Sequence, residues 1–577
     1  MRNLKFLGRF MFLLCPFGLC SSVSYASSIL VTVVTNGGGS GTVTSSPAGI
    51  KCPGTCSAPF ASGTAITLTV AVSSGSTFGG WSGPCSGLAT TCNITPTANT
   101  TVTANLGGNG LNTLTHIIFL AQENRSMDNY FGAMREYWSQ NGYPDQSFDG
   151  LAQFNPTSGA PPLNGPAPAI PGCNPADPQP SDCTWDTSVT VTSFHFTTVC
   201  NENTSPSWNE AHVDWNFNDQ VGRYPPAKNN GFVKTAGHDA RTNYPSPFFD
   251  VNGHRAMGYW DGKDLNYYYF LASKFATSDR WFNPEMARTN PNREYLLAAT
   301  SHGYAYPNGS DANDTALLKG PTIFEALQTA GVSWKIYVNP QGTSCTSPYT
   351  ASCLMKYSYL HNFTFAKTVI STYPNNIAPI SQYFTDLTNG TLPAVALIEP
   401  ASNAGLDEHG SDTDKVGTNV QKGAKYVSTL INALMTSSSW KSSAFILTFD
   451  EAGGMYDHVS PQPAVSPDGI KPVDLHSGDV CTTITGPTCD FVYTGYRVPF
   501  ILVSPYAKKN YVSHTVADNT AILKFIETRF HLAALTKRDA AQMDMTEFFE
   551  FGTPPWVTPP TPPVQNTSNP CYLDHTP

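Results

Sequence analysis

The sequence predicts two domains: a small all-β module at the front, and a large α/β domain with a mainly parallel sheet flanked by helices. Apolar and polar residues alternate in short runs at the front of the chain, which is the period of half-buried strands. Farther on, continuous apolar runs alternate with helical stretches, as in proteins whose parallel strands are buried on both faces. The chain has 577 residues, 13% of them charged and 12% aromatic, so it is long enough for two cores and unlike a disordered protein.

Residues 1–26 are predicted to be a secretory signal peptide. A positively charged start precedes an apolar run from Phe10 to Leu19, and the small residues Ser24 and Ala26 stand where a signal peptidase cleaves. The run is too short to span a membrane, and no later stretch has the roughly 18 apolar residues that a transmembrane helix needs. We therefore expect a protein that is secreted or periplasmic and has no transmembrane segment.

Residues 28–107 are predicted to form the all-β module. Residues 30–34 and 65–70 alternate like strands, and the glycines at 37–41 supply a turn. A phosphate-binding loop is the alternative for these glycines, but neither a lysine nor a helix follows them, so a hairpin turn is the better interpretation. The stretch 41–83 resembles the divergent bacterial repeat related to internalin B-repeats. This resemblance implies an accessory module without catalytic residues, whose expected partner is a component of the cell envelope or surface.

Residues 111–552 are predicted to form the α/β domain, followed by a Pro/Thr-rich tail at 553–577. Helices are expected at 420–435 and 520–532. The predicted buried strands are the continuous apolar runs at 116–120, 394–398, 444–449 and 498–503.

The cysteines predict disulfide bonds in an oxidising compartment. Two of the 14 lie in the signal peptide, and Cys200 and Cys571 have no near neighbour. The remaining ten form close pairs: Cys52 with Cys56, Cys85 with Cys92, Cys173 with Cys183, Cys345 with Cys353, and Cys481 with Cys489. A zinc site is the alternative, but the spacing is not CxxC and no histidine is interleaved with the pairs.

The chain is acidic, with a formal net charge of −10. A negative body has no general attraction for nucleic acid or for an anionic membrane, so no nucleic-acid partner is expected. Any anionic substrate must therefore be held by local groups.

Two pairs of candidate metal ligands, here called the acidic pairs, follow predicted strands. Glu123 and Asn124 come after the first strand, and Asp450 and Glu451 come after the third. Because ligands gather at the carboxyl ends of strands in open α/β sheets, these residues are candidates for one site. Carboxylate and amide oxygens suit Ca²⁺, Mg²⁺ or Mn²⁺, whereas the alternative is that the acids merely cap the following helices.

Thr289 is the candidate nucleophile. It lies in a turn at 287–293 that leads into a helical stretch at 294–299, and a helix N-terminus presents free N–H groups to an anion. A hydroxyl at that place and close to a metal ion can attack phosphorus. An ordinary helix cap is the alternative.

Taken together, these blocks resemble the phosphoesterase family, which includes bacterial phospholipases C, acid phosphatases and the plant non-specific phospholipases C. Four motifs, in order along the chain, carry the resemblance: ENRSMDNYFG at 123–132, TNPNR at 289–293, DEAGGMYDHV at 450–459 and GYRVP at 495–499. The resemblance implies an alkaline-phosphatase-like fold. It also implies one divalent metal ion bound by Glu123, Asn124, Asp450 and Glu451, with Thr289 as both ligand and nucleophile.

Three histidines are the remaining candidates for catalysis. His361 and His409 resemble the active-site histidines of the family, and His212 matches an HxWxxxH-like stretch whose first histidine is replaced here. The family usually has DHP where this chain has Glu408, His409 and Gly410. These departures affect the prediction of the general acid and of the substrate pocket, and not that of the nucleophile.

The predicted function is hydrolysis of phosphate esters through a phosphothreonine intermediate, with phospholipase C-like or broad specificity. An acid phosphatase that acts on monoesters is one alternative, and a surface adhesin with an inactive second domain is another. A sulfatase-like relative is disfavoured because no sulfatase modification motif lies near Thr289. A cage for a choline head group is one interpretation of five aromatic residues, and core packing is the other. These residues are Trp208, Trp215, Tyr259, Trp260 and Tyr267.

Overall fold

The computed structural model describes most of the chain after the predicted signal peptide, which itself lies outside the described residues. The described ranges are 28–36, 39–73, 76–87, 89–155, 165–177, 182–224, 226–242, 248–307, 317–341, 345–411, 419–551 and 554–574. Within these ranges, no helix has the length and apolar character to cross a membrane. The chain divides into two compact units after Gly108.

The first unit is all-β, as predicted. Its described strands β1–β8 are Ser28–Asn36, Gly41–Ser46, Lys51–Cys52, Ser57–Ala61, Ile66–Val72, Ser76–Ser82, Thr91–Ile94 and Thr100–Gly108. They form two four-stranded sheets, in the orders β4-β1-β8-β6 and β3-β2-β5-β7. Alternate residues such as Val31 and Val33 are buried, because successive side chains of a strand point to opposite faces.

The second unit is built on an eight-stranded sheet. Its described strands β9–β22 are His116–Gln122, Ala169–Cys173, Trp185–Thr192, Phe194–His195, Gly258–Tyr259, Ala276–Ser278, Trp281–Phe282, Trp334–Val338, Ile377–Pro379, Val395–Ile398, Ser443–Phe449, Ile501–Val503, Tyr511–Ser513 and Ala517–Asp518. The order in the large sheet is β17-β16-β18-β9-β19-β20-β14-β21. Only β20 runs against its neighbours among these strands, so the predicted mainly parallel sheet is confirmed.

Helices accompany this sheet. In the described ranges, α1–α13 are Met127–Phe131, Met134–Asn141, Trp208–Trp215, Phe232–Thr242, Asn266–Lys274, Thr289–Ala298, Ile323–Thr329, Ala351–Leu354, Phe365–Thr372, Ile380–Asn389, Val420–Thr436, Thr520–Phe530 and Lys537–Ala540. Short 3-10 turns occupy Asn109–Thr113, Ala152–Phe154, His254–Met257, Met355–Tyr357, Tyr359–Asn362, Pro374–Asn376, Ser402–Ala404, Trp440–Ser442, Pro487–Asp490 and Thr546–Phe548. The long helix α11 begins where the Asn419 side chain accepts hydrogen bonds from two backbone N–H groups of the first turn.

The C-terminal stretch 554–574 contains neither helix nor strand but is firmly attached to the second unit. Gln565 and Leu573 are buried, and the N–H of Val199 donates to the carbonyl oxygen of Pro570. The five predicted disulfides between near neighbours all form. The two leftover cysteines, Cys200 and Cys571, bond to each other across 371 positions.

Candidate active site

Two adjacent strands deliver the two acidic pairs to the same place. Strands β9 and β19 pair in parallel with Gln122 opposite Phe449, so the residues that follow leave the sheet side by side. The N–H of Asn124 donates to Oδ1 of Asp450 at 3.2 Å. The two loops that the sequence places more than 300 residues apart are therefore in direct contact.

Backbone geometry allows this close approach. Asn124 adopts a left-handed conformation, with φ of 64°, which asparagine tolerates better than most residues. Gly453 also has positive φ, and a Cβ atom there would lie 2.3 Å from the carbonyl oxygen of Asn124. A glycine is therefore required where the DEAGG loop passes the first loop.

Thr289 completes the cluster from a third element. It is the first residue of α6, so this helix begins earlier than the predicted start at Glu294. Its Oγ1 donates to Oε2 of Glu123 at 3.2 Å and lies 3.5 Å from Oδ1 of Asn124. The buried side chain of Asn292 holds the preceding turn, because its amide donates to the carbonyl oxygen of Ala287 at 2.7 Å.

One buried arginine faces the acidic side chains. The guanidinium of Arg293 lies 3.0 Å from Oε1 of Glu123 and 3.3 Å from Oδ2 of Asp450. The hydroxyl of Tyr359 also donates to Oε1 of Glu123, at 3.0 Å. Sequence reasoning assigned no role to either residue. The spacing of four between Thr289 and Arg293 would have placed both on one face of a helix.

Positive charge is scarce at this cluster. Burial raises the pKa of Asp450 to about 8, with a further contribution from the charge of Glu123, while Arg293 opposes the shift. Burial and the charge of Asp450 raise the pKa of Glu451 well above its ordinary value. Oε1 of Glu451 is buried without a hydrogen-bond partner among the described residues. Carboxylate, amide and hydroxyl oxygens with such a deficit fit a hard divalent cation.

In two of the predicted catalytic histidines, one ring nitrogen makes no hydrogen bond among the described contacts. Nδ1 of the exposed His361 donates to the carbonyl oxygen of Ser358 at 2.6 Å. Nδ1 of the half-buried His409 donates to the carbonyl oxygen of Gly410 at 2.8 Å. In both rings these bonds leave Nε2 for proton transfer.

The two histidines are tied to the cluster through the loops that carry them. The N–H of Glu123 donates to the carbonyl oxygen of Asp407 at 3.0 Å. The turn before His361 is fixed by Glu399, which accepts from the Ser358 hydroxyl at 2.7 Å. Glu399 directly follows β18, the other neighbour of β9.

His212 occupies a different environment. It is fully buried in α3, where Nδ1 lies 2.7 Å from the carbonyl oxygen of Trp208 and Nε2 lies 3.3 Å from that of Thr488. Burial lowers its pKa to about 4. Among the described contacts, none links its ring to Thr289 or to the acidic pairs. A catalytic role for His212 stays a prediction, and the contacts that it does make are structural.

A second acidic cluster is built from the same two loops. Arg497 lies 3.0 Å from Oδ1 of Asp128 and 2.8 Å from Oδ1 of Asp457. His458 lies 2.7 Å from Oδ2 of Asp128 and 3.1 Å from Oδ1 of Asp149. The ligand atoms of Asp128, Asp457 and His458 are close enough to surround an ion, but Arg497 already supplies the positive charge.

The aromatic cage is not formed. Four of its five residues, Trp208, Trp215, Trp260 and Tyr267, are at most 4% exposed, and Tyr259 is half-buried. Trp260, for example, packs at its ring against Tyr130 and Phe196 in the core of the second unit. These side chains belong to the core rather than to an open pocket for a head group.

Comparison with known proteins agrees with the motifs. Residues 114–533 match the profile of the Phosphoesterase family. The chain belongs to this family. Residues 31–108 match the divergent InlB B-repeat domain, so both predicted resemblances are confirmed. Membership in the Phosphoesterase family makes this protein a hydrolase that acts on phosphate esters.

Several curated relatives are phospholipases C. Phospholipase C B of Mycobacterium tuberculosis is 28% identical over 484 residues, covering 77% of this chain and 79% of that protein. Hemolytic phospholipase C of Pseudomonas aeruginosa is 25% identical, covering 76% of this chain and 56% of that protein. Non-specific phospholipase C3 of Arabidopsis thaliana is 26% identical, covering 76% and 73%.

Solved structures resemble the chain only distantly. A protein of the alkaline phosphatase superfamily from Vibrio parahaemolyticus matches with a TM-score of 0.27 and 14% identity, over 48% of this chain and 63% of that chain. The α/β fold itself rests on the strand order described above.

Proposed function

We propose that this protein is an exported, metal-dependent phosphoesterase with broad, phospholipase C-like specificity that uses Thr289 as its nucleophile. The observation that carries the proposal is the 3.2 Å contact between Oγ1 of Thr289 and Glu123 at the start of α6. Glu123, Asn124, Asp450 and Glu451 would hold the cation. A bound divalent ion would lower the pKa of the Thr289 hydroxyl and offset the negative charge of the substrate phosphate.

The proposed reaction has two displacements at phosphorus, each assisted by residues of this chain. Glu123 accepts the hydrogen bond of the Thr289 hydroxyl, so it orients the oxygen toward phosphorus and takes the hydroxyl proton as the oxygen attacks. As the Thr289 oxygen bonds to phosphorus, the bond to the departing alcohol breaks, and Nε2 of protonated His361 or His409 donates the proton that the alcohol needs. The same nitrogen then takes a proton from the water molecule that attacks the phosphothreonine, and Glu123 returns its proton to the Thr289 oxygen as that oxygen leaves phosphorus.

Export and substrate class are supported by different observations. The six disulfides of the described chain favour an oxidising compartment, in line with the predicted signal peptide. The phospholipase C relatives support a diester substrate, and a phosphatase that acts on monoesters is the second candidate. A partner for the front module stays a prediction.

Replacing the nucleophile tests the proposal. Thr289→Ala should lower turnover by roughly 10³-fold or more, because no hydroxyl remains to attack phosphorus. Thr289→Ser is the matched control and should retain much of the activity. The assays would use phosphatidylcholine vesicles and p-nitrophenyl phosphate, each with and without a chelator.

Rapid quenching and mass spectrometry should detect a phosphorylated Thr289 in the wild type only. Near-normal turnover in Thr289→Ala would refute the nucleophile. Absence of hydrolysis in the wild type, with every metal supplied, would favour the adhesin alternative.

A further inference from the structure

The residue directly before His409 is a buried glutamate that three separate elements hold in place. Glu408 is fully buried, and its carboxylate accepts hydrogen bonds from three side chains of the described structure. The donors are the Tyr130 hydroxyl at 2.6 Å, the Gln122 amide at 3.0 Å and the Tyr268 hydroxyl. They belong to α1, β9 and α5, so these three elements together fix one side chain.

The backbone of Glu408 is fixed as well. Its φ of 72° lies in the left-handed region, which a glutamate adopts only when its surroundings hold it there. Nε and Nη2 of Arg125 both donate to its carbonyl oxygen, the first at 2.9 Å. Because this carbonyl group belongs to the peptide that joins Glu408 to His409, the bonds also fix where the backbone of His409 begins.

Helix α11 leaves room for the Glu408 side chain. A Cβ atom at Gly423 would lie 2.1 Å from Cγ of Glu408, so a glycine is needed where the two meet. Burial raises the pKa of Glu408 to about 7, as expected for a carboxyl group taken out of water. A glycine inside a helix and a buried carboxyl group are both unfavourable for stability. Their combination indicates that Glu408 serves the loop that it anchors rather than the core.

The two candidate proton donors differ in this support. His361 is exposed and lies in a short 3-10 turn. His409 is half-buried and follows a residue whose side chain and carbonyl group are both held. A general acid must keep its nitrogen within hydrogen-bonding distance of the departing oxygen, so a ring on a fixed backbone is better suited to the task.

We propose that Glu408 is a positioning residue for His409, and that Nε2 of His409 gives the departing alcohol its proton as the bond from phosphorus to that alcohol breaks. This inference rests on the proposed function, which leaves the choice between His361 and His409 open. Glu408 touches no reacting atom and acts through the backbone that it shares with His409. Tyr130 and Tyr268 act through the carboxylate of Glu408.

The dependence of the rate on the leaving group tests this role, because a strongly acidic alcohol departs without a proton and a weakly acidic one does not. The substrates are p-nitrophenyl and phenyl phosphorylcholine, with the two corresponding aryl phosphates in parallel. Glu408→Ala should lower kcat on the phenyl esters by roughly 100-fold and on the p-nitrophenyl esters by less than about fivefold, given the contribution of general acids. His409→Asn should show the same selective loss.

Removal of a single hydroxyl group keeps the test decisive if Glu408→Ala does not fold. Tyr268→Phe deletes one hydrogen bond to Glu408 and should lower kcat on the phenyl esters by roughly 3- to 10-fold, with KM unchanged. Glu408→Gln keeps one acceptor oxygen and should retain more activity than Glu408→Ala.

Tyr269→Phe is the matched control for Tyr268→Phe. It removes a buried hydroxyl group from the same helix, but this group donates to the carbonyl oxygen of Trp260 at 3.3 Å. The control should leave the ratio of the rates on the two leaving groups at the wild-type value. The melting temperatures of both variants would show that the fold is intact.

The outcomes distinguish the positioning role from the proposed function. Equal losses on both leaving groups in Tyr268→Phe would overturn the positioning role, because a residue that only stabilises the fold does not discriminate between them. A selective loss in His361→Asn and none in His409→Asn would also overturn it, while the phosphoesterase stands. A wild type that hydrolyses none of the four esters, with every metal supplied, would defeat the proposed function itself.

Discussion

The two loops that follow β9 and β19 build two acidic clusters with opposite charge balance. The first, composed of Glu123, Asp450 and Glu451, faces a single buried arginine, and one carboxylate oxygen has no partner in the described structure. The second, composed of Asp128 and Asp457, is enclosed by Arg497 and His458. Both are buried, and both come from the same pair of motifs.

This difference distinguishes the proposed cation site from a cluster that only joins the elements that carry it. Burying a carboxylate without a compensating charge costs several kcal/mol, so a protein gains nothing from such a deficit unless a ligand fills it. A cluster whose charges are matched internally instead joins the elements that carry it. The lack of a compensating positive charge therefore indicates ligand binding better than the acidity of a cluster does.

The largest expected effect comes from removing the charge of Glu451, whose Oε1 has no partner among the described residues. Glu451→Gln should reduce turnover roughly a thousandfold, equivalent to about 4 kcal/mol of transition-state stabilisation, because a ligand of the proposed cation is lost. In chelator the variant should be at least as stable as the wild type, since the repulsion from Asp450 is gone.

The measurement is thermal unfolding with and without added Ca²⁺, Mg²⁺ or Mn²⁺, alongside turnover. The wild type should melt higher with one of these ions, and Glu451→Gln should not respond. A variant that still responds to the ion with full activity would remove Glu451 from the site.

The second cluster should respond in the reverse way. Arg497→Met leaves Asp128 and Asp457 buried without their guanidinium, which should cost about 3–5 kcal/mol of unfolding free energy. Chemical denaturation in chelator would measure the loss. Arg135→Met is the control, because its partner Asp145 is exposed and the expected cost is only about 1 kcal/mol or less. Equal unfolding free energies of Arg497→Met and the wild type would contradict a stabilising role for the second cluster.

The smallest effect is a pH dependence centred on His458. Burial lowers the pKa of His458, but the charge of Asp128 and hydrogen bonds to Asp128 and Asp149 outweigh it and raise the pKa to about 10. Because the folded pKa exceeds the unfolded value of about 6.5, protonated His458 stabilises the fold fully below pH of about 6.5, and this stabilisation is lost as pH rises to about 10.

The measurement compares the unfolding free energies of the wild type and His458→Gln at low and high pH. The advantage of the wild type should shrink by about 1–3 kcal/mol between pH 6 and pH 9.5. A constant difference across this range would mean that folding does not raise the pKa of His458.

Continuous apolar runs predicted the four strands around which the second unit is organised, because a strand buried on both faces needs apolar residues at every position. Short strands such as Ala276–Ser278 and Tyr511–Ser513 carry too few residues for any period to show. Sheet order is a tertiary property, so the runs made Asn124 and Asp450 only candidates for one site, and the family resemblance was needed to predict that they share one metal ion.

The predicted site residues divide along the same line. Motif spacing identified Thr289 and the acidic pairs, which the structure brings together. The ion pair between Arg497 and Asp128 joins residues 369 positions apart, and no local sequence pattern predicts it. For His212 a partial motif match predicted a catalytic role, whereas burial and two carbonyl contacts, both invisible in the sequence, tie its ring to the core.

The bond between Cys200 and Cys571 closes a covalent ring that contains Thr289, Arg293 and the DEAGG loop, while Glu123 and Asn124 lie in the arm outside it. Scission by a protease at an exposed loop of this ring would leave both fragments tethered. A nicked molecule would then run as one band until a reductant is added, and the residues of the candidate site would remain covalently joined.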